Sequence, residues 1–503
     1  MSSANKSMAA LAHFLILAMI FACPLVGAAQ RKRDDARPSQ RLYVDANNLN
    51  AQLGGTCISP RLPCLRITDA LAQARAIRYA QMLEPHFQDD GMRPIEIIIA
   101  PGSYVGTFGD NPDGRLEEYP LLINIPQVAL RGATQLALDS RGRPAANLQP
   151  DGTLTALDES SHTVLRMKPQ ETRSATAFII LVLPTTDVAT GIRSHASETA
   201  IEGLSFDVGA GPVIGVDRAP GFVLWGCAFA SAGAVDVVNS SARFEKNLFY
   251  KGDIGIVVNM ADRSQPHKVV VRDNTAIGKT NGSLYLSASG YDASSLFLLW
   301  RHASEFLYEP FLMPPQTYGK VIVENNLFTG STANANLGFA VRIVATDGQV
   351  TAPATTGEMG VTLHGNELTN NRSGLMLDAG FPARVLSGQA EQTTGPWMAH
   401  IRVLLRDNVI TGNLRSAAAM SFTRFQAALL PANLATFKYA ESSKFELADP
   451  DGNAADLWVD HLELDPKSGR TLNNTFIHNG VVIPAPARSC GYPALSGPFA
   501  PSA

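Results

Sequence analysis

An asparagine that keeps returning at the end of a short β-branched strand constrains this chain more than any other feature. The pattern is strand, Asn, then an apolar residue, usually two positions on. It runs through 244–249 around Asn247, 271–277 around Asn274, 323–328 around Asn326, 363–368 around Asn366 and 405–410 around Asn408. Segments 201–206 and 222–229 share the apolar rhythm without the Asn. Successive intervals are 27, 52, 40 and 42 residues. One solenoid rung needs roughly 20–30 residues, so the longer intervals carry inserted loops. Three of the Asn are followed eight residues later by a Gly (Gly255, Gly282, Gly374), and each Gly opens another alternating strand. The unit therefore reads as strand, Asn turn, strand, Gly turn, strand.

Asn can adopt the left-handed backbone region and bond nearby backbone through its amide. Stacked at one corner of successive rungs, such amides hydrogen-bond along a ladder and satisfy polar groups that the coil buries. A sandwich of unrelated strands does not explain the same corner residue five times over. The expected fold is all-β, a right-handed parallel β-helix over about 41–435, with Asn247, Asn274, Asn326, Asn366 and Asn408 as a structural ladder. A helix is expected at about 67–83, because Ile67, Ala70, Leu71, Ala74 and Ile77 share one face and Asp69 suits the positive N-terminal end. It would cap the open apolar end of the solenoid. After Asn413 the repeat decays. Residues 415–434 fit a last coil or a helix, and 436–503 a small strand pair with a Pro-rich tail.

Several N-terminal segments carry a resemblance to a known group. They are Leu42-Tyr43-Val44-Asp45-Ala46, then Gly54 to Cys57, then Pro63-Cys64-Leu65-Arg66-Ile67 before an Ala-rich helix. A strand ending in Pro101-Gly102-Ser103-Tyr104 and the segment 128–132 continue the series. Together they resemble the entry of secreted pectate-lyase-like parallel β-helix proteins. The resemblance covers roughly 41–413 by pattern. It implies the fold and, through the enzymes of that group, polysaccharide as the substrate class. It says little about which activity.

Residues 1–29 read as a secretory leader. Lys6 is the positive end, 8–21 is apolar apart from His13 and too short to span a bilayer comfortably, and Val26-Gly27-Ala28-Ala29 offers a cleavage site. The mature chain is then secreted, periplasmic or on the cell surface. A retained anchor, or a lipid on Cys23, is the alternative. No later segment reads as a membrane span. In an oxidising compartment Cys57 and Cys64 are expected to pair, and Cys227, in an apolar strand, to be a buried free thiol. Lys plus Arg number 41 against 45 for Asp plus Glu, which argues against a nucleic-acid partner.

Enzymes of this fold hold polymers across the outward side chains of one sheet. Strict alternation along the post-Gly strands puts Asp236, Asn259, Tyr285, Arg342 and Asp378 outward. Asp236 and Asp378 are then candidates for acid and base, and Arg342 for a carboxylate clamp. Tyr285, Trp300 and Asn259 are candidates for substrate contact, Trp300 from an aromatic insertion at 282–319 that also reads as a short helix, 294–307, packed on the coil. The same residues also read as an ordinary solvated face. No complete polygalacturonase-type motif set is present, nor an Asp cluster for the calcium of pectate lyases. Asp449-Pro450-Asp451-Gly452-Asn453 has a misplaced Gly and no closing Glu, and reads as an Asp-Gly turn. No metal or cofactor is called for. Two classes stay open: a module binding polysaccharide or another envelope polymer along its face, and a lyase, epimerase or glycoside hydrolase.

Overall fold

Alternation in short strands decides the architecture, because every strand must turn its apolar side chains toward one shared interior. The computed structural model describes residues 39–84 and 92–287, apart from a few short loops in the latter, then 306–308, 318–344 without 335–337, 357–378, 399–421 without 415, 435–441, 444–447, 475–478 and 481–483. The expected leader (1–29), Cys23, Trp300 and the 449–453 segment lie outside these residues. Among the described residues, the strands form three long sheets of 11, 13 and 9 members, here called sheets 1, 2 and 3. The chain visits them in turn. Phe222–Trp225, Ala228–Ala230 and Val235–Val238 make one rung, stacked in parallel register on Ala242–Glu245, Leu248–Tyr250 and Ile254–Asn259. This is a parallel β-helix.

The interior is made of columns. One sheet 2 column runs Leu165, Phe206, Phe229, Phe249, Ala276, Phe328, Leu368, Ile410, each at most 1% exposed. Rungs repeat about every 4.8 Å, so like rings meet face to face. Phe206–Phe229 and Phe229–Phe249 stack with centroids 4.8 and 4.7 Å apart.

The five asparagines line the corner between sheets 1 and 2. Each Oδ1 accepts from the backbone N–H and, where the neighbour is Asn, from the Nδ2 of the rung before: Asn274 to Asn326 at 2.9 and 3.0 Å, Asn326 to Asn366 at 3.0 and 2.9 Å. Each Nδ2 also donates to a strand carbonyl one rung back, as Asn326 does to the Val271 oxygen. Asn is not the left-handed residue of this turn. That conformation belongs to the residue before it, at Lys246, Asp273, Asn325, Gly365 and Asp407. The ladder residue must aim its amide inward, and its predecessor makes the bend. Cys227 precedes Asn247 in the column. Its N–H donates to the Asn247 Oδ1, and its buried thiol is pushed up to about 12 by burial.

A second ladder occupies the corner between sheets 2 and 3, five residues after the first. There the Ser331 N–H donates to the Asn371 Oδ1, and the Asn371 N–H to the Asn413 Oδ1. In the same position Lys279 is fully buried, its ammonium donating to the Lys251 carbonyl beside Gly252.

At the N-terminal end one helix, Ile67–Met82, covers the coil with Ile67, Ala70, Leu71 and Ala74 in the core. Its Arg66 N-cap makes no side-chain cap bond. Glu117 supplies the cap instead, its carboxylate accepting from the Ile67 and Thr68 N–H groups at 2.6 and 2.9 Å. Cys57 and Cys64 form a disulfide inside the same end of the core.

The chain after Val128–Arg131 makes an arm that lies along several rungs. The Pro144 oxygen accepts from Thr275, the Arg141 oxygen accepts from Asn325, and Arg141 reaches the Gly365 oxygen and Glu367.

Two expected boundaries shift. Residues 282–287 belong to a strand of sheet 3, and 306–308, placed at the end of a helix by the sequence, is a strand pairing antiparallel with Thr185–Asp187. The solenoid also continues past 435. Ala435–Glu441 is still in sheet 1, Ser416–Ser421 in sheet 3, and the antiparallel pair is Thr475–His478 with Val481–Ile483. Among the described residues no helix is long and apolar enough to cross a membrane.

Candidate functional site

The strand registers sort the candidate residues into two outward columns of sheet 3. Asp236, Val257, Tyr285, Arg342 and Met376 share one. Asn259, Ser287, Val344 and Asp378 share the next. Tyr285 and Arg342 are half-buried on adjacent rungs, with the guanidinium 5.8 Å from the ring centroid. Asp236 lies three rungs from Arg342, roughly 14 Å, and the Asp378 position four rungs from Asp236, roughly 19 Å. Two carboxylates that share a glycosidic bond stand no more than about 9.5 Å apart, so the registers do not assemble Asp236 and Asp378 as one acid–base pair.

The early rungs of this face are not solvated, contrary to the open strip that alternation suggests. Leu122, Phe178, Leu181, Leu183 and Val238 form a second apolar cluster with Phe306, which returns from the insertion. Arg75 of the helix sits 4.8 Å over the Phe306 ring. Asp217, Val238, Asn259 and Ser287 are buried as well. The pairing of 306–308 with 185–187 brings this cover across, a contact between segments over a hundred residues apart that local pattern does not encode.

Asp236 sits where the covered and half-open parts meet. Its residue keeps some surface, but its Oδ1 is buried without a hydrogen-bond partner, as is the Asn259 Oδ1. Burial first, and the charge of Asp253 second, push the Asp236 carboxyl up to about 7. The folded protein thus keeps this proton between about pH 4 and 7 while the unfolded chain gives it up, so Asp236 costs stability as pH rises through that window. Asp236→Asn is expected to stabilise the fold at pH 8 by about 1–3 kcal/mol and to do nothing at pH 3, read as the difference in denaturation midpoints at the two values. Equal effects at both would show that the carboxyl titrates in the fold as it does in the unfolded chain.

Among the described residues no three His, Cys, Asp or Glu side chains group as metal ligands. No protein-family model and no curated protein matches the sequence. Solved structures similar to the chain include a periplasmic alginate epimerase, at 10% identity and TM-score 0.28 over 66% of this chain and 74% of that one. A DFA-IIIase variant from Arthrobacter chlorophenolicus A6 is similar at 14% identity and TM-score 0.30, over 82% and 93%. Tailspike protein 3 of bacteriophage CBA120 is similar at 11% identity and TM-score 0.25, over 81% and 59%. All three scores are below 0.5, and the fold rests on the strand registers themselves.

Proposed function

We propose that the protein is an exported β-helix that binds an acidic polysaccharide along the half-open part of sheet 3. The observation that carries this reading is the Tyr285–Arg342 pair, a ring and a guanidinium on adjacent outward positions of a stacked sheet. A ring offers a stacking face for a sugar, and a guanidinium offers paired donors to a uronate carboxylate. Rungs about 4.8 Å apart let a long polymer meet a row of such groups. The Cys57–Cys64 disulfide supports an oxidising compartment, and the leader reading of 1–29 supplies the route to it. A secreted, periplasmic or cell-surface site fits both.

Asp236 favours a second reading, a uronate lyase or epimerase. A carboxyl held near neutral pH without a hydrogen-bond partner has the proton affinity that acid–base catalysis uses. Binding and turnover should be measured together on galacturonate, mannuronate and neutral polymers, with unsaturated products and reducing ends followed. Arg342→Ala is expected to weaken uronate binding about tenfold. Unchanged affinity in that variant would remove this face from consideration. Turnover that disappears in Asp236→Asn would favour the enzyme, and binding without turnover the module.

A further inference from the structure

Sheet 1 carries an outward column of its own. Its register runs Arg131, Glu202, Trp225, Glu245, Arg272, Glu324, His364, Arg406. The charged members are tied to one another across strands. Arg131 bridges Glu96 and Glu202 at 3.2 and 3.5 Å, Arg272 meets Glu324 at 2.8 Å, and His364 lies 3.5 Å from Glu324. Trp225 interrupts this sequence of charges. It is 42% exposed, and the other Phe and Tyr side chains whose burial is described are buried or half-buried.

We infer that Trp225 is the stacking platform of a second glycan subsite, one that takes a neutral sugar. The residue adds nothing to the core, whose columns are already filled by Leu224 and its neighbours on the inward side. Its exposed indole offers an apolar face of about the size of a pyranose ring. Glu202 and Glu245 flank it one rung away on either side, roughly 10 Å from each other, a span that brackets one sugar ring. Arg131 lies 3.5 Å from Glu202 and Arg243 2.7 Å from Glu245, so each acceptor has a guanidinium partner. Glu202 and Glu245, with their partners Arg131 and Arg243, put two carboxylates and two guanidinium groups on the rungs beside Trp225. Hydroxyls find both donors and acceptors there, whereas a uronate or sulfate would face the two nearest carboxylates.

This inference rests on the reading of the protein as a glycan binder, but on a different sheet, so the two can fail separately. The test titrates the full mature chain with hexasaccharides of glucose, galactose, mannose and xylose, and with galacturonate and mannuronate hexasaccharides, by calorimetry. At least one neutral hexasaccharide is expected to bind. Trp225→Ala should weaken that binding at least tenfold, Trp225→Tyr should retain most of it, and neither should alter uronate binding. Arg342→Ala should show the reverse pattern. The outward position of Trp225 lets both variants keep the wild-type thermal midpoint, which is read alongside. Uronate binding with no neutral ligand, or neutral binding indifferent to Trp225→Ala, would overturn the subsite alone. No binding of either class would overturn the glycan reading as well.

Discussion

Asn326→Leu is expected to destabilise the protein by about 3–5 kcal/mol, measured by chemical denaturation. The side chain accepts from the Asn274 N–H and Nδ2 and donates to the Val271 oxygen and the Asn366 Oδ1, all within a fully buried corner. Leu fills the space and answers none of these groups. Each buried polar group left alone costs about 1–3 kcal/mol, with some relief where the backbone relaxes. Asn326→Asp keeps the acceptor and loses the donor, and should fall between. A loss below about 1 kcal/mol for Asn326→Leu would mean that the ladder contributes order and little stability.

Phe229→Ala is expected to cost about 3–5 kcal/mol as well, through a different mechanism. Phe229 is the middle ring of three, stacked on Phe206 and Phe249 at 4.8 and 4.7 Å and fully buried. Truncation removes both ring contacts and opens a cavity that the rungs above and below cannot close, because their strands are fixed by hydrogen bonds. Phe229→Leu should cost about 1–1.5 kcal/mol, since volume is largely kept. Equal losses for the two variants would show that ring stacking matters more than filled volume.

The sequence displayed the first ladder because one residue type did the same work on five rungs. The second corner escaped notice because its column mixes Gly252, Lys279, Ser331, Asn371 and Asn413, so no single residue repeats often enough. Only the constant offset of five from the first ladder could have exposed it. Alternation along sheet 3 named Asp236, Asn259, Tyr285, Arg342 and Asp378 without telling one column from the next; the registers are what set Asp236, Tyr285 and Arg342 in one. It could not reveal that Phe306 buries the start of that face, since the contact depends on a return from a distant insertion. Nor did it draw attention to Trp225, which alternation places outward like any other strand residue. Its significance comes from what stands on the neighbouring rungs, information that exists only once register is known.

The arm at the Asn corner changes the kind of object this solenoid is. In a simple stack each rung touches only the next, so stability is a sum of local terms and the coil can fray or break at any point. Here Arg141 is hydrogen-bonded to Glu367, 226 positions away in the chain, while Thr275 and Asn325 hold the arm in between. Rungs that are strangers in a linear array thereby share one tether. Opening a middle rung must strain a contact on a distant one, so the tethered rungs should unfold as one cooperative block, and folding must close a very long loop before the block is complete.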